Sequence, residues 1–261
     1  MNMKHSLALI LVLLLSGCSL FAKEDDTNQS ASQLFTKAMA DMDDSNYEQA
    51  IKQFETLEAR YPYGRYAEQA QLEVAYAYYK QEDAASATAA CDRFIKLHPT
   101  HPNVDYAYYL KGLANFNENL GLISRLGAQD MTERDPKQAR ESYDTFKELV
   151  ARFPNSKYAE DSALRARYLI NGLANHELQV ALYYMKRKAY VAALNRAKSI
   201  ITNYQETPST EPALAIMVEC YEALGMPQLR DDTERVLQHN FPNSKFASQS
   251  SQAGRSWWKL W

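Results

Sequence analysis

The segment FPNSKYA (153–159) recurs almost unchanged as FPNSKFA (241–247) and, more loosely, as YPYGRYA (61–67). Each copy places an aromatic residue before proline, then a short spacer, then an aromatic residue and alanine. Proline has no amide hydrogen, and its ring disfavours the α conformation in the residue before it, so it ends a helix. The aromatic-Ala pair that follows opens a fresh apolar pattern at helical spacing. One helical unit stops and the next begins at each copy, which makes the chain an array.

Working outward from the prolines gives the unit. The tetratricopeptide pattern carries a small residue at position 8, an aromatic at 11, Ala at 20, a large apolar residue at 24 and Pro at 32. Ala38, Ala50, Phe54 and Pro62 fit it, as do Ala75, Tyr78, Ala87, Cys91 and Pro99. The small residues let two antiparallel helices approach closely, and the proline stops the second one. From Gly112 the next such proline is Pro154, 42 residues on where 24 are expected, so 18 residues are inserted within about 117–134. The second helix of that unit is expected to restart at Asp135-Pro136, a capping residue followed by proline at the first helical position. Ala181, Tyr184 and Ala193 form the next set, 27 residues after Pro154 instead of 13. The surplus of 14 residues is close to four turns of 3.6 residues, so it keeps helical phase and predicts one long helix over about 158–188. Val218 and Tyr221, with Pro242 24 residues after Val218, close a fifth unit. The expected fold is an all-α solenoid of about five helical hairpins. It has N-terminal repeats over 33–135 and C-terminal repeats, including the long helix, over 136–248.

Composition narrows the function. A formal charge of −3 and a pI near 6.0 give no basic footprint for nucleic acid. No GxSxG, HExxH, P-loop or CxxC motif occurs, so neither an enzyme nor a cofactor or metal is expected. His98 and His101 in HPTHP are flanked by Pro99 and Pro102, which suits an inter-repeat turn better than a metal-binding pair.

The first residues, MNMKHSLALILVLLLSGCSL, hold a nine-residue apolar run from Leu7 to Leu15. That run is too short for a bilayer, which takes about 20 helical residues, and it reads as a secretion signal over 1–17. Its end, Leu15-Ser16-Gly17-Cys18, resembles the bacterial lipobox, in which cleavage precedes a cysteine that becomes acylated on its thiol and its amine. Several acyl chains, at about 0.8 kcal/mol per buried CH₂, hold a protein stably on a membrane. Ser19 rather than Asp after Cys18 points to the periplasmic leaflet of the outer membrane. Residues 21–32 are polar and pattern-free, which makes 18–32 a flexible tether. Cys91 and Cys220 lie about three repeats apart and are expected as small buried apolar residues, not as a disulfide.

The binding candidates come from helical position. In this repeat geometry positions 2, 5, 9 and 12 of the first helix line the inner face, which selects Phe35 and Met39, Tyr76 and Tyr79, then Tyr106, Tyr109 and Phe116. Aromatic bodies with polar tips suit a peptide groove, and packing between helices predicts the same residues, so both readings stand. Arg93 and Lys96, three apart on a second helix, share one face, whether a solvated face or a binding pair. Arg196, set among alanines and leucine in YVAALNRAKSI, is both an interface candidate and an ordinary surface residue. The tail 249–261 ends in SWWKLW, and Trp257, Trp258 and Trp261 cap the last unit, meet a partner or touch membrane.

The lipobox and residues from about 33 to 248 resemble the BamD family of tetratricopeptide lipoproteins. The resemblance is carried by ARYPYGRYAEQAQ, AYAYYK, DRFIKLHPTHPNVDYAYYLKGL, RDPKQAR, FPNSKYA and ALNRAKS in the family's order. It implies a non-catalytic component of the outer-membrane β-barrel assembly machine, anchored through Cys18. The C-terminal repeats would dock the POTRA domain of BamA nearest its barrel, with further contacts to BamC and BamE. The N-terminal repeats would recognise targeting signals of unfolded outer-membrane proteins. Matched by motif, Arg196 corresponds to a family arginine at the BamA contact, Arg93 and Lys96 to a functionally implicated basic pair, and Tyr61 to an aromatic of the proposed substrate groove. The Trp-rich end does not map onto the family. The alternative, a pilotin-like tetratricopeptide lipoprotein assisting a secretin, shares the signal and the repeats but gives no reason for the long helix or for DRFIKLHPTHP. A lipid-tethered wall enzyme is a further rival.

Overall fold

The computed structural model describes residues 29–124 and 136–246. The signal, Cys18, most of the tether, the rest of the insertion and the Trp-rich tail lie outside the described residues.

Ten helices account for the described chain: α1 (Ala31–Asp43), α2 (Tyr47–Arg60), α3 (Arg65–Lys80), α4 (Ala84–Leu97), α5 (Val104–Ser124), α6 (Pro136–Arg152), α7 (Ala159–Lys186), α8 (Tyr190–Asn203), α9 (Thr210–Ala223) and α10 (Pro227–Asn240). Each packs on the next in sequence, and the first helices of neighbouring hairpins also touch, α1 with α3, α3 with α5 and α7 with α9. The result is an all-α solenoid of the tetratricopeptide kind, with first helices inside and second helices outside.

The boundaries have local causes. At the start of α1 the Gln33 amide donates to Ser30 Oγ (3.3 Å), while Ser30 N–H donates to Gln33 Oε1 (2.8 Å). This capping box draws Ala31 and Ser32, expected in the tether, into the first helical turn. Every second helix ends alike. The amides of Tyr61, His98, Phe153, Tyr204 and Phe241 each donate at 2.8 Å to a carbonyl four residues earlier, and the next residue leaves the helix. Proline enforces the stop in four of these. At Tyr204 the next residue is Gln205, and Thr207 and Thr210 donate to the Tyr204 carbonyl at 2.8 and 3.1 Å instead. The turns inside the hairpins are equally regular. Ser45 (φ 60°), Glu82 (61°), Lys188 (58°) and Gly225 (70°) occupy one equivalent left-handed position.

The repeat positions do what their size requires. Ala38, Ala75 and Ala181 are fully buried at the close approach, as are Phe54, Cys91 and Phe146 at position 24. In the third hairpin Gly112 lets Phe146 lie against the backbone: a Cβ there would stand 2.5 Å from Phe146 Cε1. Ser142 stands where the first, second and fourth hairpins have alanine, and donates to the Gly112 carbonyl at 2.9 Å. In the fifth hairpin α10 departs from the pattern: Arg230, Asp231 and Glu234 stand where α2 has Ala50, Ile51 and Phe54. Polar residues there close the array with a helix that faces water.

Two features interrupt the regular rise. Helix α5 continues to Ser124, so residues 117–124, read as the start of the inserted loop, are helical. Helix α7 has 28 residues against 14 in α2, α4, α8, α9 and α10. Its first half meets the third hairpin through Asp161 and Tyr168, and its second half meets α8 and α9 through Glu177 and Met185. The extra length displaces the last two hairpins by about 20 Å along the helix axis, at about 1.5 Å per residue. No helix among the described residues is long and apolar enough to cross a membrane.

Candidate functional site

On the inner face, α3 and α5 bring three of the selected tyrosines together. The Tyr76 and Tyr79 rings lie 6.3 Å apart, and with Tyr106 they pack over Ala75, Cys91 and Leu110. Burial holds the Tyr106 hydroxyl well above the ordinary phenol range, and the charge of Glu73 adds to this. Neither Tyr76 nor Tyr106 donates a side-chain hydrogen bond within the described residues. The neighbouring Tyr109 is engaged differently. It stacks on Tyr158 at 4.6 Å and donates to Asp161 Oδ2 at 2.8 Å, an oxygen that also accepts from Arg165 Nε at 2.6 Å. The Arg165 guanidinium in turn covers the Phe116 ring at 4.8 Å. Tyr109 and Phe116 therefore fasten the third hairpin to the fourth. Phe35 does similar work in the first, 5.6 Å from both Phe54 and Tyr66, and Met39 packs on the same cluster.

The remaining N-terminal candidates lie apart from this cluster. Tyr61 ends α2, is 38% exposed and donates to the Gln29 carbonyl at 2.9 Å, so it ties the entry of the chain to the first inter-hairpin turn. Arg93 and Lys96 sit exposed on α4, in the outer layer. Arg93 is ion-paired with Glu58 of α2, whose carboxyl burial pushes up and the Arg93 charge pulls back. His98 and His101 form a turn, both rings about 5 Å from Phe94, with His98 Nε2 3.1 Å from Gln71 Oε1 and His101 Nδ1 accepting from the Asn103 amide at 3.1 Å. No group of His, Cys, Asp and Glu among the described residues is arranged to hold a metal. Cys91 and Cys220 are free and buried, and burial pushes both thiols up to about 12.

Arg196 is presented on α8 by a neighbour that spacing does not reveal. Its Nη1 lies 3.2 and 3.4 Å from the two carboxylate oxygens of Glu177 on α7. The Glu177 side chain is 14% exposed and that of Arg196 is 46% exposed. A nearly buried carboxylate thus fixes a half-exposed cation that has donors to spare. Tyr183 and Val191 on the same hairpin are more than half exposed, and the Arg187 guanidinium lies 4.1 Å above the Tyr183 ring. Sequence reading missed Glu177, nineteen residues from its partner, and also Glu73. The latter was within reach, because Gln69, Glu73 and Tyr76 fall on one helical face.

The chain matches the YfiO family, described as outer membrane lipoprotein, over residues 27–237. It is 47% identical to the outer membrane protein assembly factor BamD of Neisseria meningitidis serogroup A, with 99% of each chain covered. The protein of that name from Xylella fastidiosa is 38% identical, covering 92% of this chain and 83% of its own. That from Vibrio cholerae is 35% identical, covering 89% and 96%.

Proposed function

Because the chain belongs to the BamD (YfiO) family of outer membrane lipoproteins, we propose that it is a non-catalytic factor in outer-membrane β-barrel assembly. Acylated Cys18 would hold it in the periplasmic leaflet. Hairpins four and five dock a POTRA domain of BamA, with BamC and BamE as further neighbours. The inner face of hairpins two and three receives signal segments of unfolded outer-membrane proteins. The observation that carries the docking part is the Arg196–Glu177 pair. A guanidinium half in water and oriented by a covered carboxylate is preorganised for a second, acidic partner. The groove part rests on Tyr76 and Tyr106, whose hydroxyls donate no hydrogen bond within the described residues, whereas Tyr109 is committed to Asp161.

Pull-down of the tagged chain from detergent-solubilised outer membranes tests the docking. Arg196→Glu is expected to lower BamA recovery at least tenfold and Arg196→Ala less, in keeping with the cost of breaking an interfacial charge pair. Undiminished recovery removes this residue from the interface. Depletion of the chain is expected to lower porin levels in the outer membrane. Intact porins with lost pili would favour the pilotin-like alternative instead.

A further inference from the structure

Among the described residues Glu73 is a carboxylate with no ion pair, on the helix face that carries Tyr76. It sits partly buried on α3, one turn before Tyr76 and on the same face. Burial holds its carboxyl above the usual carboxylate range, and the Gln69 amide one turn earlier opposes that rise. Across the inter-hairpin seam its charge acts on the Tyr106 hydroxyl, and Tyr106 is 5.6 Å from the Tyr158 ring.

Basic residues of α3 and α5 are engaged elsewhere, as is Lys157, which lies over the Tyr158 ring at 4.9 Å. Lys80 lies over the Tyr47 ring at 6.0 Å, Lys111 pairs with Asp92 at 2.6 Å, and Arg65 lies over Tyr66 at 4.9 Å. Other carboxylates of this side are satisfied: Asp161 by Tyr109 and Arg165, Asp105 by Ser156 Oγ at 2.6 Å. A half-desolvated anion beside tyrosine rings attracts an ammonium or guanidinium group by charge, and a ring that turns its face to the cation adds its quadrupole.

We infer that Glu73, with Tyr76 and Tyr106, forms a subsite for a cationic side chain of the peptide held on the inner face. The inference rests on the groove reading above and adds to it the charge of the residue recognised. An extended segment whose aromatic side chains lie on the tyrosine wall would place one lysine or arginine against Glu73.

The test uses the full-length lipoprotein in detergent and two probes that carry fluorescein on the N-terminal amine through β-alanine, fluoresceinyl-β-alanyl-Phe-Tyr-Lys-Tyr-Phe-amide and the same peptide with norleucine for lysine. By anisotropy the lysine peptide is expected to bind about tenfold more tightly than its uncharged isostere. Glu73→Gln abolishes that preference and leaves the norleucine peptide's affinity unchanged, and Glu73→Asp retains part of it. A lysine preference that survives in Glu73→Gln, or equal binding of both peptides to the wild type, overturns the cation subsite and leaves the groove standing. Binding of neither peptide to the wild type overturns both.

Discussion

At the residue scale, one missing carbon decides the third hairpin. The Phe146 ring occupies the space a Gly112 Cβ would need, with three ring atoms within 2.8 Å of it. Gly112→Ala must push a fully buried ring aside, and overpacking of this kind costs about 1–3 kcal/mol. The urea midpoint followed by circular dichroism is expected to fall accordingly, and Phe146→Leu in the same chain to recover part of the loss. Glu73 gives a prediction of opposite sign. Burial raises its folded-state pKa above the ordinary 4.5, so its contribution to stability is full below that value and is lost as pH rises through the folded pKa. Glu73→Gln is therefore expected to raise the melting temperature near neutral pH and to give no gain near pH 4. Equal shifts at both pH values would mean that the carboxylate carries no burial penalty. A binding residue kept at a cost to stability is what a ligand subsite looks like.

At the element scale, the four hairpin turns among the described residues repeat a backbone conformation that one of them fills with glycine. Ser45, Glu82 and Lys188 adopt positive φ with a side chain attached, which costs L-residues roughly 1–2 kcal/mol, and Gly225 adopts it freely. No atom lies within 4 Å of where a Gly225 Cβ would be, so a substitution there reports the backbone alone. Gly225→Ala is expected to lose about 1 kcal/mol in urea titration. Lys188→Gly is expected to gain less than that, because glycine also gains freedom in the unfolded chain. No change on Gly225→Ala would show that this turn relaxes to another conformation.

At the scale of the whole molecule, the long helix divides the core unevenly. A continuous cluster runs from Phe116 to Leu237 through hairpins three to five, threaded by α7, while the first two hairpins are stabilised by several smaller clusters. In a solenoid each hairpin is stabilised by its neighbours, so local opening follows these clusters. Cys91 reports one half and Cys220 the other, and both are inert while buried as thiols. Pulsed alkylation in rising urea is expected to modify Cys91 at lower denaturant than Cys220, and coincident midpoints would mean a single cooperative unit. The sequence by itself determined the hairpins, the four proline stops, the close-packed small residues and the length of α7. Those features are local: a proline's missing amide and a helix's phase are complete within one repeat. The identity of α10 as a closing helix was equally readable at Arg230 and Glu234, where an apolar pair would have continued the array. Only the tertiary structure decided which tyrosines are spent and which charges meet. Tyr109 finds Asp161 across 52 residues, Arg93 finds Glu58 across 35 and Arg196 finds Glu177 across 19, while Glu73 has no ion pair among the described residues. Those outcomes depend on the angle at which one hairpin packs on the next, which the side chains at the contact set and no spacing along the chain encodes.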